Sequence, residues 1–208
     1  MIDCGPDFRQ QMLREDIRSI DAILITHGHK DHLGGLDDVR AFNYINSKPA
    51  DVYATATVQR IIRREYAYAF EKDAYPGVPE INLHPITRSP FHIGSQKVIP
   101  VQAIHYRNSH HVFGFRIDDF TYLTDAVEIE AKEKKKIKGS RVIVLNALRR
   151  KKHYSHFHLE AALSIMKELK PEQGFLTHIS HQMGLHVETE KELPENVRLA
   201  YDGLTLSF

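Results

Sequence analysis

Residues 20–35 read IDAILITHGHKDHLGG, an apolar run that passes directly into three histidines and an aspartate and stops at two glycines. The run 20–26 holds almost no polar residue, which predicts a strand covered on both faces. Ligating side chains placed straight after such a strand stand at the rim of a sheet, where ligands commonly bind. His27 and His29 are two apart in an extended segment, so their rings can point the same way. Asp31 and His32 follow a turn and can face a second ion, while Gly34 and Gly35 let the backbone pass close by before the next helix. A solvated polar turn would explain any one of these residues. It does not explain the four together.

Other strand ends repeat the pattern. His105 closes the predicted strand 97–104 (KVIPVQAI), Asp125 closes 120–124 (FTYLT), and His178 closes 174–177 (GFLT). Imidazole suits zinc, iron and similar ions, and a carboxylate can bridge two of them. His110 and His111 compete with His105, because the stretch 106–112 has an unusual length. Isolated histidines such as His84 and His92 read as ordinary surface or core residues.

The remaining chain supplies a scaffold. Strands are expected at 112–117 and 141–145, with a turn at Asp118-Asp119 making a hairpin. In the tail 196–208, Asp202-Gly203 is a turn pair between short strands. Helices are expected at 6–13, opened by Pro6, at 37–46, at 57–70 with Thr57 as N-cap, and at 159–169, closed by Pro171. Leu159, Ala162, Leu163, Met166 and Leu169 recur at helical spacing and therefore face a core. The stretch 73–80 reads as a loop, and 128–138 (EIEAKEKKKIK) as a solvated helix face. No repeat or linker interrupts the chain, so one domain over 1–208 is expected.

Bulk composition excludes several function classes. The 208 residues carry a net charge of +1, which supports no general electrostatic grip on nucleic acid or an anionic membrane. Cys4 is the single cysteine, so neither an internal disulfide nor a cysteine-rich zinc site can form. No apolar run approaches the roughly 20 residues that cross a bilayer. A cytoplasmic protein is the default expectation.

With every position of His-x-His-x-Asp-His filled by His27, His29, Asp31 and His32, the chain resembles the metallo-β-lactamase superfamily. The similarity continues through IDCGPDF at 2–8, YLTDA at 122–126, VLNALRRKKHYSHFHLEAAL at 144–163 and LTHISHQ at 176–182. The last two segments look most like the phosphodiesterase of the carbon–phosphorus lyase pathway, which opens the cyclic phosphate of a phosphoribosyl 1,2-cyclic phosphate. That resemblance implies an α/β fold, the four-layer αβ/βα sandwich, shortened here because the family has further strands before IDCGPDF. It implies two divalent ions, zinc or manganese, with iron also accepted. His27, His29 and His105 would hold one, Asp31, His32 and His178 the other, and Asp125 would bridge them.

The implied reaction is hydrolysis of a small, cyclic phosphodiester by a metal-bridging hydroxide. Asp31 and His156 are the catalytic candidates, His156 as general acid. His181, Arg149 and Arg150 are candidates for substrate binding, although the arginines read equally as solvated loop charges. His153 and His158 are expected behind the site or at the surface. Asp3 is expected to accept the free N–H of a ligating histidine. Relatives imply a homodimer acting on a small molecule rather than on a membrane or nucleic acid. Three rivals share parts of this reading: a nuclease that trims transfer-RNA 3′ ends, a thioester or lactone hydrolase, and a non-catalytic remnant.

Overall fold

In the computed structural model of the protein, residues 1–106 and 110–207 are described; 107–109, inside the stretch 106–112, and Phe208, at the end of the tail, lie outside them. The chain divides into two compact units, Met1–Thr87 and Arg88–Phe208.

In the first unit the apolar run behaves as expected in burial but not in length. Residues 22–26 are all buried, yet only Ile23–Leu24 (β1) form a ladder. β1 pairs in parallel with Ala50–Ala54 (β2), which pairs in parallel with Ile81–Pro85 (β3). Neither β2 nor β3 stands out in the sequence, because both are short and carry polar residues on one face. Four helices accompany this sheet: Phe8–Arg14 (α1), Lys30–Leu33 (α2), Arg40–Asn46 (α3) and Ala56–Glu65 (α4). The expected helix 37–46 is two pieces, a 3₁₀ turn at Leu36–Val39 running into α3. The cap of α4 is Thr55 rather than Thr57, since the Val58 N–H donates to the Thr55 hydroxyl at 3.3 Å.

Phe8, Ile23, Ile25, Leu33, Leu36, Val52 and Ile62 make the core of this unit, each almost wholly buried. Each such side chain stabilises the fold by about 1.5–3 kcal/mol. Gly35 is required by a close approach. A Cβ there would collide with the Gly5 carbonyl and the Phe8 side chain, where the Gly35 N–H meets the Cys4 carbonyl at 2.9 Å. The segment 3–5 is thereby laid against the residues that carry His32.

The second unit is built on a sheet of seven strands among the described residues. Phe91–Ile93 (β4), Gln96–Tyr106 (β5), His110–Ile117 (β6) and Phe120–Leu123 (β7) pair antiparallel in sequence. Val142–Asn146 (β8), Gln173–Thr177 (β9) and Val197–Leu199 (β10) then add in parallel to β7. Two reversals bring β7 back to the direction of β5, so β5, β7, β8 and β9 all point the same way. Their C-terminal ends therefore share one rim of the sheet.

The helices are Ala131–Ile137 (α5), Leu159–Leu169 (α6) and His186–Glu190 (α7). As the spacing predicts, Leu159, Ala162, Met166 and Leu169 of α6 enter the core beside Val101, Leu123, Leu145 and Leu176. α5 corrects the expectation of a solvated face at 128–138. Glu133 and Ile137 are buried, and the Glu133 carboxylate accepts the Gln102 N–H at 2.9 Å and pairs with Lys136 at 2.8 Å. Asp202-Gly203 forms a turn, but no strand follows it among the described residues.

Candidate metal centre

The first unit presents its four candidate ligands just past β1. His29 is extended, with φ −75° and ψ 152°, and immediately precedes α2, which carries Asp31 and His32. Their orientation is set from behind by Asp3. Its carboxylate accepts the Thr26 N–H and the Thr26 hydroxyl, each at 2.8 Å, and the His32 Nδ1–H at 2.7 Å. The Thr26 hydroxyl proton is thus committed to Asp3, so the Thr26 oxygen, 3.0 Å from His27 Nδ1, accepts from that ring.

Assigned from this network, both His27 and His32 carry their proton on Nδ1, which leaves each Nε2 lone pair for a ligand. His27 Nε2 lies 2.9 Å from His29 Nδ1. Asp31 Oδ2 lies 3.4 Å from His32 Nε2. Near-complete burial pushes the Asp3 carboxyl above its ordinary pKa, and the bonds from His32 and Thr26 oppose that push.

The second unit brings His105, Asp125 and His178 to the shared rim of its sheet. His105 is the extra residue of a bulge, since the pairing of β5 with β6 shifts register between Ile104 and Tyr106. Bulges re-aim side chains, and here the ring turns inward: His105 is buried and its Nδ1–H donates to the Ser155 carbonyl at 3.0 Å. His110 and His111, the competing positions, are exposed.

Asp125 is only 1% exposed. Its Oδ1 accepts from the Thr124 hydroxyl at 2.9 Å and lies 3.1 Å from His178 Nε2, while Oδ2 lies 3.2 Å from His156 Nε2. The His156 and His178 rings stack with centroids 4.9 Å apart. Ligand atoms of His105 and Asp125, and of Asp125 and His178, lie within 4.8 Å of each other, as do those of His27 and His29 in the first unit. Asp3, Asp125 and His178 all adopt positive φ, between 55° and 58°. Non-glycine residues rarely do so; Asp16, Ser47, Asp118 and Lys170 share the conformation at turns and helix ends elsewhere.

The donor set fits a divalent metal. It consists of imidazole nitrogens, those of His27, His32 and His105 with tautomers set by their partners, and carboxylate oxygens, without thiolate, which suits Zn²⁺, Mn²⁺ or Fe²⁺. His–carboxylate and His–carbonyl pairs of the kind made by His32 with Asp3 and His105 with Ser155 accompany metal-ligating histidines generally.

The remaining candidates fall around this framework. His156 sits between Asp125 and the Ser155 hydroxyl, 2.8 Å from its Nδ1. His153 is held by Ser155 as well, and its pKa is lowered by burial, then by His156 and Arg149. The Arg149 guanidinium donates to the Gln182 side chain and to the carbonyls of Lys151 and Lys152. Arg150 forks onto Glu192 and also donates to the Met183 carbonyl. His181 is exposed at the start of a 3₁₀ turn, and His158 precedes α6. His84 pairs across strands with Asp51 at 2.7 Å and stacks on Tyr53.

Three supporting residues escape a reading of the sequence by residue type. Thr26 relays Asp3 to His27, and Ser155 contacts two candidate site histidines. Asn146, fully buried, clamps the backbone beside Asp125: its amide accepts the Ala126 N–H at 2.9 Å and donates to the Ala126 carbonyl at 3.0 Å. A signal for Asn146 exists, because a lone amide at the end of the apolar run VIVLN must find partners.

The chain is similar to several known proteins. The beta-lactamase superfamily domain matches residues 1–179. A crystal structure described as a new diphosphatase from the PhnP family superposes with a TM-score of 0.90 at 37% identity, covering 100% of this chain and 79% of that one. A protein of Porphyromonas gingivalis named octanoyltransferase is 38% identical over 206 residues, which is 98% of this chain and 41% of that protein. A ribonuclease Z of Cyanothece sp. is 27% identical over 123 residues, 57% of this chain and 37% of the nuclease. The chain spans less than half the length of these two curated relatives.

Proposed function

The chain belongs to the beta-lactamase superfamily, and within it to the PhnP family; from that premise we propose that it is a metal-dependent hydrolase of a small, cyclic phosphodiester. His27, His29 and His105 would hold one divalent ion, Asp31, His32 and His178 a second, with Asp125 shared between them. Zn²⁺ and Mn²⁺ are the proposed metals. Two such ions would supply a nucleophile from water near neutral pH and offset charge on the attacked phosphorus. The proposal includes a single domain over 1–208, a cytoplasmic setting and a homodimer. Among the described residues no helix is long and apolar enough to cross a membrane.

The observation that carries the reading is the position of His156. Its Nε2 lies 3.2 Å from the carboxylate proposed as the bridge. A group so placed can give a proton to the oxygen leaving phosphorus, a contribution typically worth about 10²–10⁴-fold in rate. A carbonyl hydrolase has less need of it, because His156 would then serve only to orient Asp125. Asp31 is the second catalytic candidate, with a side chain exposed enough to meet substrate. For substrate binding the proposal retains His181, Arg149 and Arg150. The arginines would act through the 149–152 and 181–192 segments they tie together as much as by direct contact.

The test is His156→Ala, assayed on a ribose cyclic phosphate beside metal analysis. Two bound ions with turnover reduced at least a hundredfold support the reading. Fewer than one ion per chain in the unaltered protein, purified without chelator, refutes it. The ribonuclease Z relatives favour a second reading, cleavage of RNA. RNA cleavage that falls steeply as salt rises would support it, although the net charge of +1 offers little grip. The name octanoyltransferase is not carried over, because more than half of that protein lies outside the match.

A further inference from the structure

We propose that Ser155 is a positioning residue that sets two imidazoles at once, His105 through its carbonyl and His156 through its hydroxyl. The inference rests on the phosphodiesterase reading above and assigns a role to a residue that reading does not use. Ser155 is only 5% exposed and stands in the connection between β8 and α6. Its carbonyl can only accept, so His105 Nδ1, 3.0 Å away, carries a proton and His105 Nε2 is left with its lone pair.

The hydroxyl is assigned by the same logic. The Ser155 N–H donates to His153 Nδ1 at 3.3 Å, so that nitrogen is an acceptor. It lies 3.2 Å from Ser155 Oγ and takes the hydroxyl proton. Of the two acceptors near His156 Nδ1–H, Ser155 Oγ at 2.8 Å is closer than His153 Nδ1 at 3.2 Å, whose lone pair already receives both Ser155 donors, so the proton goes to Ser155 Oγ. The working nitrogen of His156 is therefore Nε2, on the side of Asp125.

The proton count closes. Hydrolysis forms a P–O bond from water and breaks the bond to the leaving oxygen. The proton that His156 Nε2 gives to that oxygen is replaced by the one that water releases. His156 Nδ1–H stays on Ser155 throughout. Because the leaving group's need for a proton depends on its basicity, the effect of losing Ser155 must depend on it too. A merely structural role would slow all substrates alike.

The experiment compares Ser155→Ala and the near-isosteric Ser155→Cys with the unaltered full chain on two substrates. One is a ribose cyclic phosphate, which expels an alkoxide; the other is bis(p-nitrophenyl) phosphate, whose leaving group needs no proton. The expected result is a kcat loss of about tenfold or more on the first, a change under threefold on the second, and unaltered KM and metal content. In ¹⁵N-resolved imidazole spectra of the zinc-loaded protein, the His156 Nδ1–H signal should shift or be lost, as its nearest acceptor is removed and only His153 Nδ1 remains in reach, and that of His105 should stay in place. Equal losses on both substrates, or none, overturn the proposal. If the unaltered protein cleaves neither substrate, the phosphodiesterase reading falls. The spectra then decide alone: an undisturbed His156 signal in both variants overturns the role of Ser155.

Discussion

Asp3 receives three hydrogen bonds, from the Thr26 N–H and hydroxyl and from the His32 ring, so its effect passes through the groups it orients. Replacing it by Asn puts an amide where His32 Nδ1–H and the Thr26 hydroxyl need an acceptor. Partners of this type typically change metal affinity by about 10–100-fold. Asp3→Asn should therefore weaken metal binding to that extent in competition with a chromophoric chelator, and unchanged affinity would contradict the tautomer argument. Cys4, next along the chain, is 2% exposed, and its thiol is pushed up to about 12, chiefly by burial and then by Asp3 and Asp38. Thiolate is the reactive form. Iodoacetamide at pH 8 should leave Cys4 untouched in the folded protein and label it only after unfolding. At this scale the candidate ligands are readable from type alone, because histidine and aspartate seldom gather at strand ends without a task. Ser155 and Thr26 are not, because serine and threonine occur in any loop or strand end and only burial reveals their service; Asn146 is legible only through its place at the end of the apolar run VIVLN.

Elements follow the apolar pattern where burial dominates and depart from it where hydrogen bonds do. β7, β8 and β9 coincide with the runs FTYL, VIVLN and QGFLT, and each lies beside a candidate ligand or its clamp. β2 and β3 are missed because alternation over five residues, interrupted by Asp51, His84 and Pro85, is a weak signal. The bulge that turns His105 inward has no signature in KVIPVQAIHY. α5 shows how charge misleads: in a lysine-rich run, Glu133 faces the core and satisfies the Gln102 N–H of β5. Glu133→Ala takes the acceptor from that N–H, while the Lys136 ammonium keeps the Pro100 carbonyl at 2.9 Å. Unmet buried donors cost roughly 1–3 kcal/mol each. The variant should unfold at correspondingly lower urea with an unchanged m-value, and a midpoint equal to that of the unaltered protein would show that α5 is held by Ile137 alone.

For the whole molecule the question is what makes two compact units behave as one protein. Met1–Thr87 and Arg88–Phe208 each bury a core of their own. The seven proposed ligands divide between them, four in the first and three in the second. If the ions are held as proposed, by ligands from both sets, they would bind only when both units are folded, and the two unfolding equilibria would be linked. A ligand at a hundred times its Kd stabilises the native state by about 2.7 kcal/mol. For a chain of this size that corresponds to a rise in Tm of roughly 5–10 °C. The metal-loaded protein should therefore melt in one steep transition. The chelated protein should melt earlier and more gradually, with the signals of the two units separating. Scanning calorimetry with and without chelator, repeated after Asp125→Ala, measures this directly. Superimposable curves would mean that no ion is shared between the units, whatever the individual rings bind. A lowered midpoint with a single, equally steep transition would place the metal in the fold but deny it the coupling.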